Sequence, residues 1–304
     1  MDQSKTAGTL LVVGAGALWG MMGIFVRYFN GLGLGSMEIV ALRVFVTTVV
    51  LLAWLLLRDR RLLRVRLRDC WCFAGTGLVS IVLFSFCYFK TIEQTSLSVA
   101  AVLLYTAPIF VMLLSTLLFR ERLTGRKLVA CALAFGGCVL VVGLLDSAGA
   151  VPGAAILTGV ASAVGYALYS IFGRFALNKG YHPLTVTAYT FFFANLGVVP
   201  LTNFPTLAAP FENNWAAAGM ALLLSLVTTV FPYLLYTQGL TKIESSRASI
   251  VASVEPVVAT VISALVFSEP LSLSGGAGIL LVLAAIALLN WPVRPAKAGG
   301  NTVR

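Results

Sequence analysis

The sequence predicts an all-α polytopic membrane protein with ten transmembrane helices arranged as two inverted five-helix repeats. Three observations predict this. Of 304 residues, 59% are hydrophobic and only 11% charged, whereas a soluble domain carries roughly a quarter charged residues. About 20 apolar residues cross a bilayer, and ten runs of about that length follow one another, joined by short polar loops. The chain also echoes itself 148 positions on. Without a gap, Ser98 falls on Ser246, Ala100 on Ala248, Pro108 on Pro256, Ser115 on Ser263, Phe119 on Phe267, Glu121 on Glu269 and Leu123 on Leu271.

The first half is expected to cross the membrane at 8–29, 37–57, 70–89, 98–119 and 127–145, and the second at 153–176, 184–202, 216–240, 248–267 and 275–291. The first run is too long for the apolar part of a signal peptide, and a second span follows closely, so it reads as an uncleaved helix. The domains expected are a first repeat over 1–147, a second over 148–293 and a polar tail over 294–304. Aligning Arg27 with Arg174 extends the repeat to the first spans and pairs Trp19 with Tyr166. Five crossings per half is an odd number, so the halves must run in opposite directions. Inverted repeats are a signature of transporters that alternate access around a midplane site.

The formal charge of +10 does not indicate nucleic-acid binding, because Lys and Arg sit in short loops between apolar runs. Eighteen of the 21 fall on one face, including the run Arg58 to Arg68 and the group Arg120 to Lys127. Arg27, Arg43 and Lys90 are the remainder. The positive-inside rule then places both termini in the cytoplasm of a plasma (bacterial inner) membrane protein. The Arg-rich loop reads as a topology anchor before a lipid-regulatory element, and a short interfacial helix on the anionic lipid surface is the form expected of it. His182 is the one histidine and no cysteine pair stands near it, so no metal or other cofactor is expected. The five cysteines suggest no disulfide framework. No G-x-x-x-x-G-K-[ST] motif is present, so the chain cannot drive transport with ATP by itself. No Ser/His/Asp constellation sits at membrane depth, which weighs against an enzyme.

Glu255 is the first candidate site residue. It lies about eight residues into its span, roughly 12 Å along a helix, near the middle of the bilayer. An ionisable group at that depth is costly and marks a functional site by default. It would serve as a substrate-ammonium or proton site, or be a carboxyl kept neutral by burial. Pro256 and its twin Pro108 each remove a backbone donor and kink a helix. Arg43, in the second span, would attract a substrate carboxylate or snorkel to the surface. Glu38, five residues before it, is expected at the interface.

Trp19, Tyr88, Tyr105, Tyr166, Tyr169, Tyr233 and Tyr236 lie within spans. Phenol hydroxyls need partners at that depth, so the set favours a cavity for an organic substrate. Of these, Trp19, Tyr88, Tyr105, Tyr169 and Tyr236 are the expected lining. Glu121 and Glu269 each precede the last span of a half, where a carboxylate would satisfy free helix-start amides. Gly14, Gly16, Gly20 and Gly23 suggest close helix packing, not a phosphate loop.

The copies SLSVAAVLLYTAPIFVMLLSTLLFRERLTGRKL and SRASIVASVEPVVATVISALVFSEPLSLSGG, with ALWGMMGIFVRYF and Arg43, resemble the drug/metabolite transporter superfamily in its EamA-type ten-helix branch. The resemblance covers nearly the whole chain. It implies a central cavity lined by spans 1, 3, 4, 6, 8 and 9, and transport of small organic molecules, with amino acids and related metabolites among the exported substrates. Ala107 stands opposite Glu255, so the first copy departs from the acid-Pro pattern of the second. The expected partners are a small-molecule substrate, the lipid bilayer and a proton or other coupling ion. An uncoupled facilitator and a drug or metabolite efflux protein are the alternatives. One chain holds both repeats, so a monomer could suffice.

Overall fold

The computed structural model describes residues 3–143, 151–212, 214–270 and 272–291. The expected end of the fifth span at Leu145, the Leu271 repeat position and the tail with Arg294, Lys297 and Arg304 lie outside the described residues. Among those described there is no strand. Nine helical segments are long and apolar enough to span: α1 (Gln3–Gly31), α2 (Ser36–Arg58), α3 (Leu67–Gln94), α4 (Leu97–Phe119), α6 (Gly153–Asn178), α7 (Pro183–Leu201), α8 (Trp215–Leu240), α9 (Ser245–Phe267) and α10 (Leu273–Asn290). The tenth is α5 (Gly125–Val141), whose 17 described residues reach about 26 Å at 1.5 Å per residue. Leu57, Leu117, Leu157, Leu265 and Leu280 are exposed, as a lipid-facing perimeter requires.

The repeats exchange partners. Helix α1 packs against α8 and α9, and its twin α6 packs against α3 and α4. Helices α2 and α7 lie side by side, while α5 and α10 pair with each other. The α5–α10 contact is close: a Cβ at Gly137 would sit 2.7 Å from the Gly278 carbonyl oxygen. Each repeat is thus completed by the other.

Several spans are interrupted at mid-membrane. In α4 the regular helix stops at Leu104 and resumes at Ala107; in α9 it stops at Ala252 and resumes at Val254. Leu104 and Ala252 are four residues before Pro108 and Pro256, where the ring displaces the i−4 carbonyl. The prolines therefore break their helices at matching places. Helices α3 and α8 carry π-helical turns at Gly75–Val82 and Leu226–Val230; the second falls on the first at the repeat offset. Such turns occur often at functional sites.

The Arg-rich loop is not the interfacial helix expected. It forms two short 3-10 turns, Arg60–Leu63 and Leu67–Asp69, and is tied to the second repeat. Thr185 and Tyr189 donate hydroxyl hydrogen bonds to the carbonyls of Leu62 and Leu63 at 2.8 and 2.7 Å, and the Arg66 amide donates to Tyr181 Oη at 3.1 Å. These tertiary bonds compete successfully with a free amphipathic turn.

Candidate substrate cavity

Between the repeats lies a cavity of about 760 Å³. It begins at mid-membrane beside Trp19, Glu255 and Pro256 and extends past Arg27, Ile92, Leu97, Val142, Glu269 and Ser272. Those last residues lie at the C-terminal ends of α1, α3, α5 and α9 and the N-terminal ends of α4 and α10. All are at the arginine-poor end of the bundle, so the cavity reaches that end.

The arginine-rich end is closed. There the Arg174 guanidinium donates to the carbonyls of Leu240 and Ile243 and to Ser245 Oγ, joining α6 to the α8–α9 turn. Glu121 accepts from the backbone amides of Ser245 and Ser246 at 2.8 and 3.2 Å and from the Ser246 hydroxyl. Lys127 pairs with Glu244 and lies 3.8 Å from Glu121.

Glu255 is partly buried and lines the cavity. Close packing of α1 holds it there. A Cβ at Gly16 would meet Val254 Cγ1 at 2.5 Å, and one at Gly20 would meet the Glu255 carbonyl oxygen at 2.8 Å. Only glycine allows α1 this close to the broken segment of α9. Among the described residues, none forms a hydrogen bond or ion pair with the Glu255 carboxyl.

Arg43 is buried on α2 and lines the same cavity. Its Nη1 lies 3.6 Å from Met22 Sδ, a weak acceptor, and its Nε has no hydrogen-bond partner. The charges of Arg43 and Glu255 interact electrostatically, yet no ion pair within 4 Å joins them. A buried unpaired charge costs several kcal/mol, so this arrangement leaves a guanidinium and a carboxyl group free to engage a third group. Ser85 Oγ, also on the cavity wall, is buried and unpartnered.

The aromatic residues divide differently from the expectation. Trp19, Tyr88 and Tyr105 line the cavity. Tyr169 and Tyr236 line only a small inner pocket that adjoins it at Trp19, Tyr166 and Tyr233. They lie beneath it, where Tyr169 Oη bonds Thr237 Oγ1 and Tyr236 Oη bonds Ser170 Oγ, both at 2.7 Å. Tyr166 and Tyr233 take the wall positions instead. Each exchange is three residues along one helix, a rotation that spans with polar residues scattered around them do not reveal. Trp19 forms the floor, with ring centroids 5.2 Å from Tyr233 and 5.5 Å from Tyr236. Span α2 also contributes lining, through Ile39, Val40 and Arg43, beyond the six spans implied by resemblance.

Glu121 and Glu269 do not cap the helices that follow them. Those helices are capped by Thr124, which accepts from the Lys127 amide, and Ser272, which accepts from the Gly275 amide. Short hydroxyl caps placed directly at the helix start leave both carboxylates free for longer-range partners. Glu269 accepts from Ser263 Oγ and pairs with Arg27. These two partners, Ser263 first, hold its carboxyl below the usual range.

The sequence matches the EamA-like transporter family over residues 6–143 and 153–291. The chain belongs to that family. An uncharacterized transporter of Archaeoglobus fulgidus is 35% identical over 199 residues, covering 64% of this chain and 68% of its own. The Bacillus subtilis uncharacterized transporter YxxF is 26% identical over 293 residues, 94% of this chain and 90% of its own. A solved crystal structure superposes with a TM-score of 0.78 at 18% identity, covering 94% of this chain and 96% of that one, and so shares the fold. This EamA-like transporter is an integral membrane protein, not an enzyme, and a small molecule and the lipid bilayer are its partners.

Proposed function

We propose that this EamA-like transporter is a secondary exporter of amino acids or closely related zwitterionic metabolites, working by alternating access. One observation carries the reading: a single cavity holds a guanidinium and a carboxyl group, neither of which has an ion-pair partner among the described residues. Arg43, aided by Ser85, would receive the substrate carboxylate as charge-assisted hydrogen bonds. Glu255 would receive the ammonium, and the aromatic floor around Trp19 would accommodate the side chain. A proton competing with the ammonium for Glu255 would couple transport to a pH gradient. The protein would lie in the plasma (bacterial inner) membrane with both termini cytoplasmic, which puts the open end of the cavity outside. The domain division at residue 147 is part of the same reading.

The test uses purified protein in proteoliposomes with labelled amino acids, their decarboxylated amines and their deaminated acids. Amino acids should exchange and both truncated sets should fail. Glu255→Gln should retain at most counterflow and lose accumulation driven by a pH gradient. Normal accumulation by this variant with unchanged pH dependence would remove the coupling role. Equal transport of the truncated compounds would sink the zwitterion reading.

A further inference from the structure

We propose that Glu121 and Glu269 form an alternating latch, in which each carboxylate has two seats and transport exchanges them. One seat is a serine on the carboxylate's own helix. The other is the N-terminal end of the twin helix in the opposite repeat. The two ends of this structure display one seat each.

The backbone around the two acids is the same. Arg120 and Ser268 are both left-handed, at φ 55° and 56°. The Glu121 amide donates to the Ser115 carbonyl at 3.3 Å and the Glu269 amide to the Ser263 carbonyl at 3.4 Å. From this common hinge the side chains part. At the closed end Glu121 has crossed to α9 and holds the Ser245 and Ser246 amides, and its side chain is 8% exposed. The serine it would otherwise use, Ser115, is buried with its hydroxyl unpartnered. At the open end Glu269 remains on Ser263, the repeat mate of Ser115, and its side chain is 47% exposed.

The receiving helices match this picture. Ser245 is fully buried under Glu121, while its mate Leu97 is 63% exposed on the cavity wall. Ser96 Oγ caps the Val99 amide at 3.3 Å, and the Leu97 and Ser98 amides before it have no intrahelical acceptor, which leaves those two available to a carboxylate. The arginines follow their acids. Arg174 holds the carbonyls of the α8–α9 turn, whereas Arg27 holds Glu269 and stacks 3.9 Å over the Phe267 ring. In the opposite state Glu269 moves to the amides of Leu97 and Ser98 and to Ser98 Oγ, which here donates to the Val142 carbonyl at 3.0 Å and exchanges that acceptor for the carboxylate. Arg27 then binds the carbonyls of Ile92 and Thr95, the repeat mates of Leu240 and Ile243. Glu121 returns to Ser115, and the cavity opens at the arginine-rich end.

This inference rests on alternating access but not on the choice of substrate, and its test uses no substrate. The thiol of an L97C variant reports the open end through its rate of modification by a maleimide, in purified full-length protein. The unsubstituted protein, in which Cys70 is the only cysteine not buried, supplies the background. Adding E121Q weakens the closed-end latch and should slow L97C labelling about tenfold, the scale of one hydrogen bond to a charged group. R174K weakens the same end without touching the acid and should act in the same direction. Adding E269Q to L97C/E121Q should restore fast labelling, because the amide cannot hold the new seat as well. Unchanged or faster labelling in both E121Q and R174K backgrounds, or failure of E269Q to reverse the slowing, would overturn the latch. Loss of amino-acid transport specificity alone would leave it standing.

Discussion

Replacing Gly20 by alanine tests whether the α1–α9 approach positions Glu255. The added Cβ would lie 2.8 Å from the Glu255 carbonyl oxygen, 2.8 Å from Val258 Cβ and 2.9 Å from the Ala259 amide nitrogen. Two of these three are backbone atoms, so a side-chain rotation cannot relieve the clash and α9 must move. Overpacking of this kind costs about 1–3 kcal/mol, and backbone contacts put it toward the upper end. Helix propensity returns about 1 kcal/mol. The net loss is therefore about 1–2 kcal/mol. At Gly23, three residues on, an added methyl would find no atom within 4 Å, so Gly23→Ala keeps only the propensity gain. The two variants should differ by about 2–3 kcal/mol, or roughly 4–12 °C at the about 2–4 °C per kcal/mol of a large chain. Thermal unfolding of the purified proteins measures this, and counterflow should fall further in G20A than in G23A, whose methyl only adds to the cavity wall. Equal unfolding temperatures and equal transport would refute the claim that this contact holds Glu255 in place.

Arg43→Gln should remove uptake of carboxylate-bearing substrates by about a hundredfold, as loss of a charge-assisted pair costs about 2–5 kcal/mol; wild-type affinity in a binding titration would count against it. Arg43→Lys should recover only part, because the ammonium lacks the planar fork. Tyr169→Phe should cost about 0.5–1.5 kcal/mol of stability through loss of the Thr237 bond with the substrate profile unchanged; a changed profile would mean that Tyr169 reaches the cavity. The depressed Glu269 carboxyl stabilises the folded protein with a contribution fully present above its ordinary value of 4.5 and lost as pH falls through its lower folded value. Carboxyl carbon shifts of Glu269 should therefore stay those of an ionised group at pH 4.5, and a midpoint at or above 4.5 would contradict the Ser263 and Arg27 contacts.

The fold and part of the site were legible in sequence for different reasons. Apolar run length sets the span count, because the bilayer core has a fixed thickness. Gap-free recurrence of Pro108 and Pro256 locates both helix breaks, since the missing N–H and the ring act locally. Glu255 stands out because a mid-membrane carboxyl has few innocent explanations. Tyr166 and Tyr233 were not separable from Tyr169 and Tyr236. Their helices scatter small polar residues among apolar ones, so no clean amphipathic stripe records which face meets the cavity.

By itself, then, the sequence determined the ten crossings, the inverted pairing of the halves, the charge asymmetry between the two faces and the single mid-membrane acid. These follow from composition and from contacts within a few residues. Only the tertiary structure decided that Arg43 lacks an anion, that Glu121 reaches across to the other repeat, and which end is open. The repeats carry nearly the same signals, and similar sequences cannot state that one gate is closed while its twin is not. That difference exists only in how the two halves pack against each other.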